Sequence, residues 1–304
     1  MGTPQIAAAT LEQLLTGPDT VVGVVSQPDS TAGRGQKTSA SPVRKLAEAR
    51  AIPVLAAEKI RTPEFLEALR AWQPDIIVVV AYGRILPKTI LDLAPHGCIN
   101  VHYSLLPKYR GAAPAAWTII NGEAQAGVST MKLVEKMDAG AIYLQQAVDL
   151  TGEETTGSLQ AQLTPVGAKL LLDTLRQLKE GTLTAIEQDE SLATLAPILK
   201  KDDGRIDWQR PALEIERRIR GFDPWPGSFT QCAGKLLKIH RAQLIATERQ
   251  GAPGEILRAD GGGFWVATAS GVLSLEEVQQ ENKKRLAGVE FIKGARIKSG
   301  DRLE

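Results

Sequence analysis

Cysteine and histidine are scarce in this sequence. Of 304 residues, two are cysteine, Cys98 and Cys232, and three are histidine, His96, His102 and His240. Two distant cysteines without metal-ligand spacing argue against a disulfide framework and a zinc site, and suit a reducing compartment such as the cytoplasm. Long apolar runs are lacking too: none approaches the ~18–20 residues that span a bilayer. Residues Met1 to Leu15 show no basic head followed by an apolar stretch, so no secretory signal is expected. Nor is there an excess of either charge. Thirty-six Lys and Arg against 35 Asp and Glu leave a formal +1, so any attraction for a polyanion must come from local patches. What remains is an ordinary globular composition, 43% hydrophobic and 23% charged, long enough for two domains.

The first half alternates short apolar runs with helical patterns. Val21–Val25, Ile52–Val54, Ile76–Ala81 and Gly97–His102 read as strands. Pro42–Arg50 and a segment opening at Thr62-Pro63 read as helices, the threonine as cap and the proline at the first helical position. Such alternation predicts an α/β fold with a mostly parallel sheet covered on both faces. Pro114–Asn121 is expected to be helical, and Gly127–Val134 and Ile142–Asp149 to be strands. Thr155–Lys179 has helical periodicity, with Pro165 inside it expected to kink or split the helix. The division expected is a domain over 1–180, a linker over 181–205 and a second domain over 206–304. In the latter a helix at Pro211–Arg220 precedes short strands at close spacing, the pattern of a small β-barrel.

Three residues stand out chemically. Asn100 and His102 lie two apart on a strand, so both side chains share one face at its carboxyl end. That is where open parallel sheets bind ligands. An amide can donate to an oxyanion and an imidazole can relay a proton near neutral pH, yet alone this spacing more often marks a polar strand end with a satisfied histidine. Asp138, in Met137-Asp138-Ala139-Gly140, can orient an imidazole, or it can be a turn aspartate; spacing does not decide. Asp29 to Lys45, with Gly33-Arg34-Gly35 and Lys37, is on composition a solvated loop, and it lacks the Lys-Ser/Thr ending of a phosphate loop. Lys235, Lys238, Lys283, Lys284, Arg285, Lys293, Arg296, Lys298 and Arg302 can form a basic face. Trp225 reads as a packing aromatic.

Together, Asn100-Val101-His102-Tyr103-Ser104-Leu105-Leu106-Pro107, Tyr109-Arg110-Gly111-Ala112-Ala113-Pro114, Asn121-Gly122-Glu123, Met137-Asp138-Ala139-Gly140 and Asp223-Pro224-Trp225-Pro226 resemble the signature of folate-dependent formyltransferases. Within that family the resemblance is strongest to the branch acting on initiator methionyl-tRNA, and it extends over nearly the whole chain. It implies a Rossmann-like domain using 10-formyltetrahydrofolate as co-substrate, followed by a C-terminal barrel of OB type. It also implies a catalytic trio of Asn100, His102 and Asp138, and a folate site lined by Ser104, Leu105, Leu106 and Pro107. Arg34 and Lys37 would lie on a loop that contacts the tRNA acceptor arm. Neither a metal nor an obligate protein partner is implied. The rival readings are an amino sugar nucleotide formyltransferase and a non-enzymatic RNA-binding protein.

Three departures from the family pattern carry expectations. The apolar first strand is not seen before Met1-Gly2-Thr3-Pro4, which would leave two interior sheet edges without a partner. Tyr103 stands where a small residue is usual and is expected to narrow the site. Pro165 interrupts a helix.

Overall fold

The computed structural model describes residues 1–32, 37–247 and 251–304, with the side chains of 30–38 outside the description. Two compact units emerge. The first takes Met1–Pro114, Gln125–Asp149 and Gln160–Pro197; the second takes Ala115–Ala124, Leu150–Leu159 and Ile198–Glu304.

The first unit begins with α1 (Gln5–Leu14), β1 (Val24–Ser26), β2 (Ser30–Ala32), β3 (Lys37–Ser39), α2 (Pro42–Ala49) and β4 (Val54–Ala56). It continues with α3 (Pro63–Ala71), β5 (Ile77–Val79), α4 (Lys88–Leu91), β6 (Cys98–His102) and β7 (Arg110–Gly111). After α5 (Pro114–Ile120), whose residues from Ala115 on fall in the second unit, come β8 (Gln125–Lys132), β9 (Ile142–Asp149), α6 (Thr156–Glu180), of which the first unit takes Gln160 onward, and β10 (Leu195–Ala196). Local chemistry sets several of these boundaries. Ser41 and Thr62 each accept a backbone N–H three residues on, from Arg44 and Phe65, and a proline opens each helix.

β1 pairs with β4 and β5 with β6 in parallel, while β8 and β9 extend the sheet antiparallel beyond β6. The expected gap between β1 and β5 is present over most of their length: β1–β4 and β5–β6–β8–β9 are separate sheets, joined among the described residues only by Met1 and Gly2. Gly2 N–H donates to the Val25 carbonyl at 2.9 Å, and Val80 N–H to the Met1 carbonyl at 2.9 Å. These two residues thus bridge both sides, at a place where a Cβ on Gly2 would lie 2.6 Å from the Ala7 Cβ. Beside them lies a cavity of about 520 Å³ whose lining includes Val21, Val25, Trp72, Ile77 and Val78.

Pro165 does not split α6, which runs unbroken over 25 residues. The proline removes one N–H donor, at a cost of ~3 kcal/mol. Against it stand the wholly buried Leu163 and Leu171 and the nearly buried Ala168 and Leu175, each large apolar side chain contributing roughly 1.5–3 kcal/mol.

The second unit has α7 (Ala212–Gly221) and the strands β11 (Ser228–Cys232), β12 (Lys235–Ile245), β13 (Ile256–Asp260), β14 (Gly263–Ala267), β15 (Val272–Gln280) and β16 (Leu286–Ala287), then α8 (Gly288–Ala295). The antiparallel order is β11-β12-β15-β14-β13, with β16 on β15. Leu303 bridges Cys232 beside β11, and Arg302 bridges Glu255 just before β13, so the last residues close the sheet on itself. Its interior is apolar: Ile215, Ile219, Leu237, Leu273, Leu275 and Val278 are almost fully buried, with Trp208, Phe264 and Phe291 among them.

Candidate active site

The end of β6 is where the polar side chains of the first unit converge. Period-two alternation puts Asn100 and His102 on one face and Val101 and Tyr103 on the other. The second face packs on α6: an added Cβ at Gly167 would lie 3.1 Å from Val101 Cγ1 and 3.5 Å from Tyr103 Cε1. Tyr103 therefore does not narrow the site. Its buried ring points to the opposite side of the sheet, and Gly167 leaves room for it.

His102 is buried, and its Nε2 lies 2.9 Å from the Tyr109 carbonyl. A carbonyl only accepts, so Nε2 carries the hydrogen. Nδ1 faces Asp138 Oδ2 at 3.8 Å, too long for a direct hydrogen bond but close enough for charge to be felt. The Asp138 carboxylate is itself held by the Gly111 N–H at 2.8 Å. Asn100 is half-buried, and its side-chain amide forms no hydrogen bond among the described residues. The trio is thus brought together with two members fixed and one donor group free.

The turn carrying Asp138 is held from outside. Asp138 adopts a left-handed backbone, φ 48°, which a non-glycine residue keeps only when its surroundings over-determine it. Gln188 Nε2 donates to the carbonyls of Asp138 and Gly140 at 2.8 and 2.7 Å. Its Oε1 accepts from Arg110 Nε and Nη2 at 3.0 and 2.8 Å. Arg110 is buried and also grips Glu190, whose second partner is Lys136. Hydrogen bonds from Arg110 and then Lys136 hold the Glu190 carboxyl down at about 2. Gln188 and Glu190 come from 181–205, the expected linker, which also supplies β10, paired with β7, and Thr194, whose Oγ1 accepts from Tyr109 N–H at 2.9 Å.

The segment after β6 is equally organised. Ser129 Oγ donates to the Ser104 carbonyl at 2.6 Å and accepts from Leu106 N–H at 3.1 Å. Gln145 Nε2 donates to the Leu106 carbonyl at 2.8 Å, and Ser104 Oγ to the Lys108 carbonyl at 2.7 Å. Ser104 and Leu106 are buried by these ties, while Leu105 and Pro107 stay half-exposed. Of the two loop cations, Arg34 lies outside the described residues, as does the side chain of Lys37, whose backbone belongs to β3. The expectation for Trp225 is corrected: it is 55% exposed, and the neighbouring Phe222 takes the core position instead.

Sequence reasoning missed Arg110, Ser129, Gln145 and Gln188. Arg110 stood inside a quoted motif, and a polar Ser129 within an apolar strand was a usable signal. Gln188 had no local signal, because its partners lie 48 to 78 residues away.

The "Formyl transferase" family model matches residues 1–175, and "Formyl transferase, C-terminal domain" matches 198–296. A methionyl-tRNA formyltransferase of Desulfotalea psychrophila is 50% identical over 297 residues, covering 98% of this chain and 92% of that protein. One of Geobacter sulfurreducens is 45% identical over 303 residues, covering 100% and 95%. Among solved structures, the N-formyltransferase from Helicobacter canadensis, in complex with folinic acid and dTDP-3-aminofucose, shares the fold. Its TM-score is 0.65 at 18% identity, covering 92% of this chain and 97% of that one.

Proposed function

The chain belongs to the formyl transferase family, beside the methionyl-tRNA formyltransferases, and we propose that it formylates the methionine amino group of initiator methionyl-tRNA with 10-formyltetrahydrofolate, in the cytoplasm. The observation that carries this reading is the constellation at the end of β6: a free Asn100 amide beside a His102 ring fixed by Tyr109 and faced by Asp138. The co-substrate supplies a formyl group on a folate nitrogen. The half-exposed Leu105 and Pro107 offer it apolar surface, on a segment that Ser129 and Gln145 hold in place.

Attack by the neutral methionine amine places negative charge on the formyl oxygen. Asn100 donates to that oxygen, its amide having no partner to give up among the described residues. A proton must leave the amine and reach the departing folate nitrogen. His102 Nδ1 is the basic nitrogen, because Nε2–H is committed to the Tyr109 carbonyl. The Asp138 carboxylate 3.8 Å away stabilises the ring while it carries that proton. Arg34 and Lys37 contact the tRNA acceptor arm, supplying locally the positive charge that a net +1 does not.

The test is formylation by the purified chain of charged initiator tRNA, with an amino sugar nucleotide as competing acceptor. Transfer to the aminoacyl-tRNA alone is expected. Preferential transfer to the sugar, or none to either, overturns the reading.

A further inference from the structure

Four hydrogen bonds fix the Gln188 amide in one sense. The Arg110 guanidinium can only donate, so Oε1 faces it; the Asp138 and Gly140 carbonyls can only accept, so Nε2 faces them. Arg110 is in turn immobilised, with a side chain 4% exposed and bonds to Glu190. The chain neighbour of Arg110 is Gly111, whose N–H holds the Asp138 carboxylate. A closed circuit results, running from Arg110 through Gln188 to the backbone of Asp138 and from the Asp138 carboxylate back to Gly111. The turn has little freedom on its other side, since a Cβ on Gly140 would sit 1.9 Å from the Lys132 carbonyl. Within the turn, Ala139 N–H donates to the Lys136 carbonyl at 3.3 Å across the left-handed Asp138, and Gln188 adds bonds to the carbonyls on both sides of Ala139 from a segment some 50 residues away.

We propose that Gln188 is a positioning residue for formyl transfer: it sets the Asp138 turn so that the carboxylate faces His102, and Arg110 fixes the sense of its amide. The inference rests on the proposed role of Asp138. Gln188 touches neither substrate directly, so its loss acts on turnover through Asp138 and leaves substrate binding alone.

The experiment is steady-state kinetics of Gln188→Ala, Gln188→Glu, Asp138→Ala and the Asp138→Ala/Gln188→Ala double variant, with thermal melts of each. Gln188→Glu keeps an acceptor for Arg110 but loses both donors, so it separates the carbonyl contacts from the Arg110 contact. Both single Gln188 variants are expected to lose about 10-fold or more in kcat, with KM for tRNA and folate within about 2-fold of the parent. The double variant is expected to match Asp138→Ala alone, because positioning a missing carboxylate has no further effect. An unchanged kcat in Gln188→Glu, a loss confined to KM, or losses that multiply in the double variant each overturn the proposal. Near-parent turnover of Asp138→Ala overturns the reading of Asp138 itself, whereas an impaired Asp138→Ala beside an active Gln188→Glu sinks the Gln188 proposal alone. If Gln188→Ala melts early, the Gln188→Glu comparison decides.

Discussion

The two units bury different things. The first takes His102 and Arg110 out of water, with Ser104 and Ser129 beside them, all within a short distance in sequence or pairing of one strand end. The second, among its described residues, buries hydroxyls such as Thr230 and Ser274 but no Asp, Glu, Lys, Arg or His. Buried charge is costly unless every group is paired, and among the described residues His102 and Arg110 lie buried in the first unit and are each partnered there. The barrel fills its interior with apolar packing, aliphatic and aromatic. Function and stability are thus separable by mutation, and the contrast can be broken at several points.

The largest effect is expected at the trio. Asn100→Ala, His102→Ala and Asp138→Ala should each lower formyl transfer by on the order of 10²-fold or more, with urea midpoints near the parent's. Leu237→Ala, at a wholly buried barrel position, should do the reverse. It should cost about 2–5 kcal/mol of stability while the folded fraction keeps parent kcat. If a trio variant turns over normally, that residue leaves the mechanism.

Next come paired glycines. Gly140→Ala meets the Lys132 carbonyl and should displace the Asp138 turn, so turnover should fall at least about 10-fold. Gly234→Ala, in the β11–β12 turn at φ 70° with open space around it, should lose only about 1 kcal/mol of stability and no activity. Equal activity in the two would mean that the turn tolerates movement.

Arg34→Ala/Lys37→Ala should weaken use of charged initiator tRNA far more than folate binding, and flatten the salt dependence of tRNA binding. Unchanged kinetics would return that stretch to a solvated loop. Pro165→Ala should restore an N–H donor inside α6 and gain up to about 1 kcal/mol in a denaturant melt, less than helix propensity alone gives, because proline also restricts the unfolded chain; formyl transfer should not change.

The smallest effect concerns pH. The Glu190 carboxyl, lowered from near 4.5 to about 2 by Arg110 and Lys136, contributes stability that is full above its unfolded value and lost as pH falls through about 2. Glu190→Gln should therefore melt below the parent at pH 6, with the gap closing as both are taken below pH 4.5. A gap that is constant with pH would mean the carboxylate's charge is not what matters.

Much was legible from the chain alone. The Ile142–Asp149 strand agrees with β9 at both ends, and the Thr62-Pro63 helix start is realised in α3, because alternation and capping are local properties. Helix α1, strand β11 and helix α8 were not expected. α1 is alanine-rich and capped by no side chain, so no strong local signal marks it. Val21, Val22 and Gly23 were expected in a strand that in fact starts at Val24: hydrophobicity marked the run, but pairing with Val54–Ala56 set its extent.

The sequence by itself determined the alternating α/β plan, the shared face of Asn100 and His102, and the glycine and proline punctuation, since each follows from backbone sterics and short-range periodicity. Only the tertiary structure decided that Asp138 faces His102, that Tyr103 lies behind the sheet and that Gln188 grips the turn. Those relations join residues 36 to 64 positions apart. No local preference encodes such distances, and they exist only once packing has placed the strands and their loops side by side.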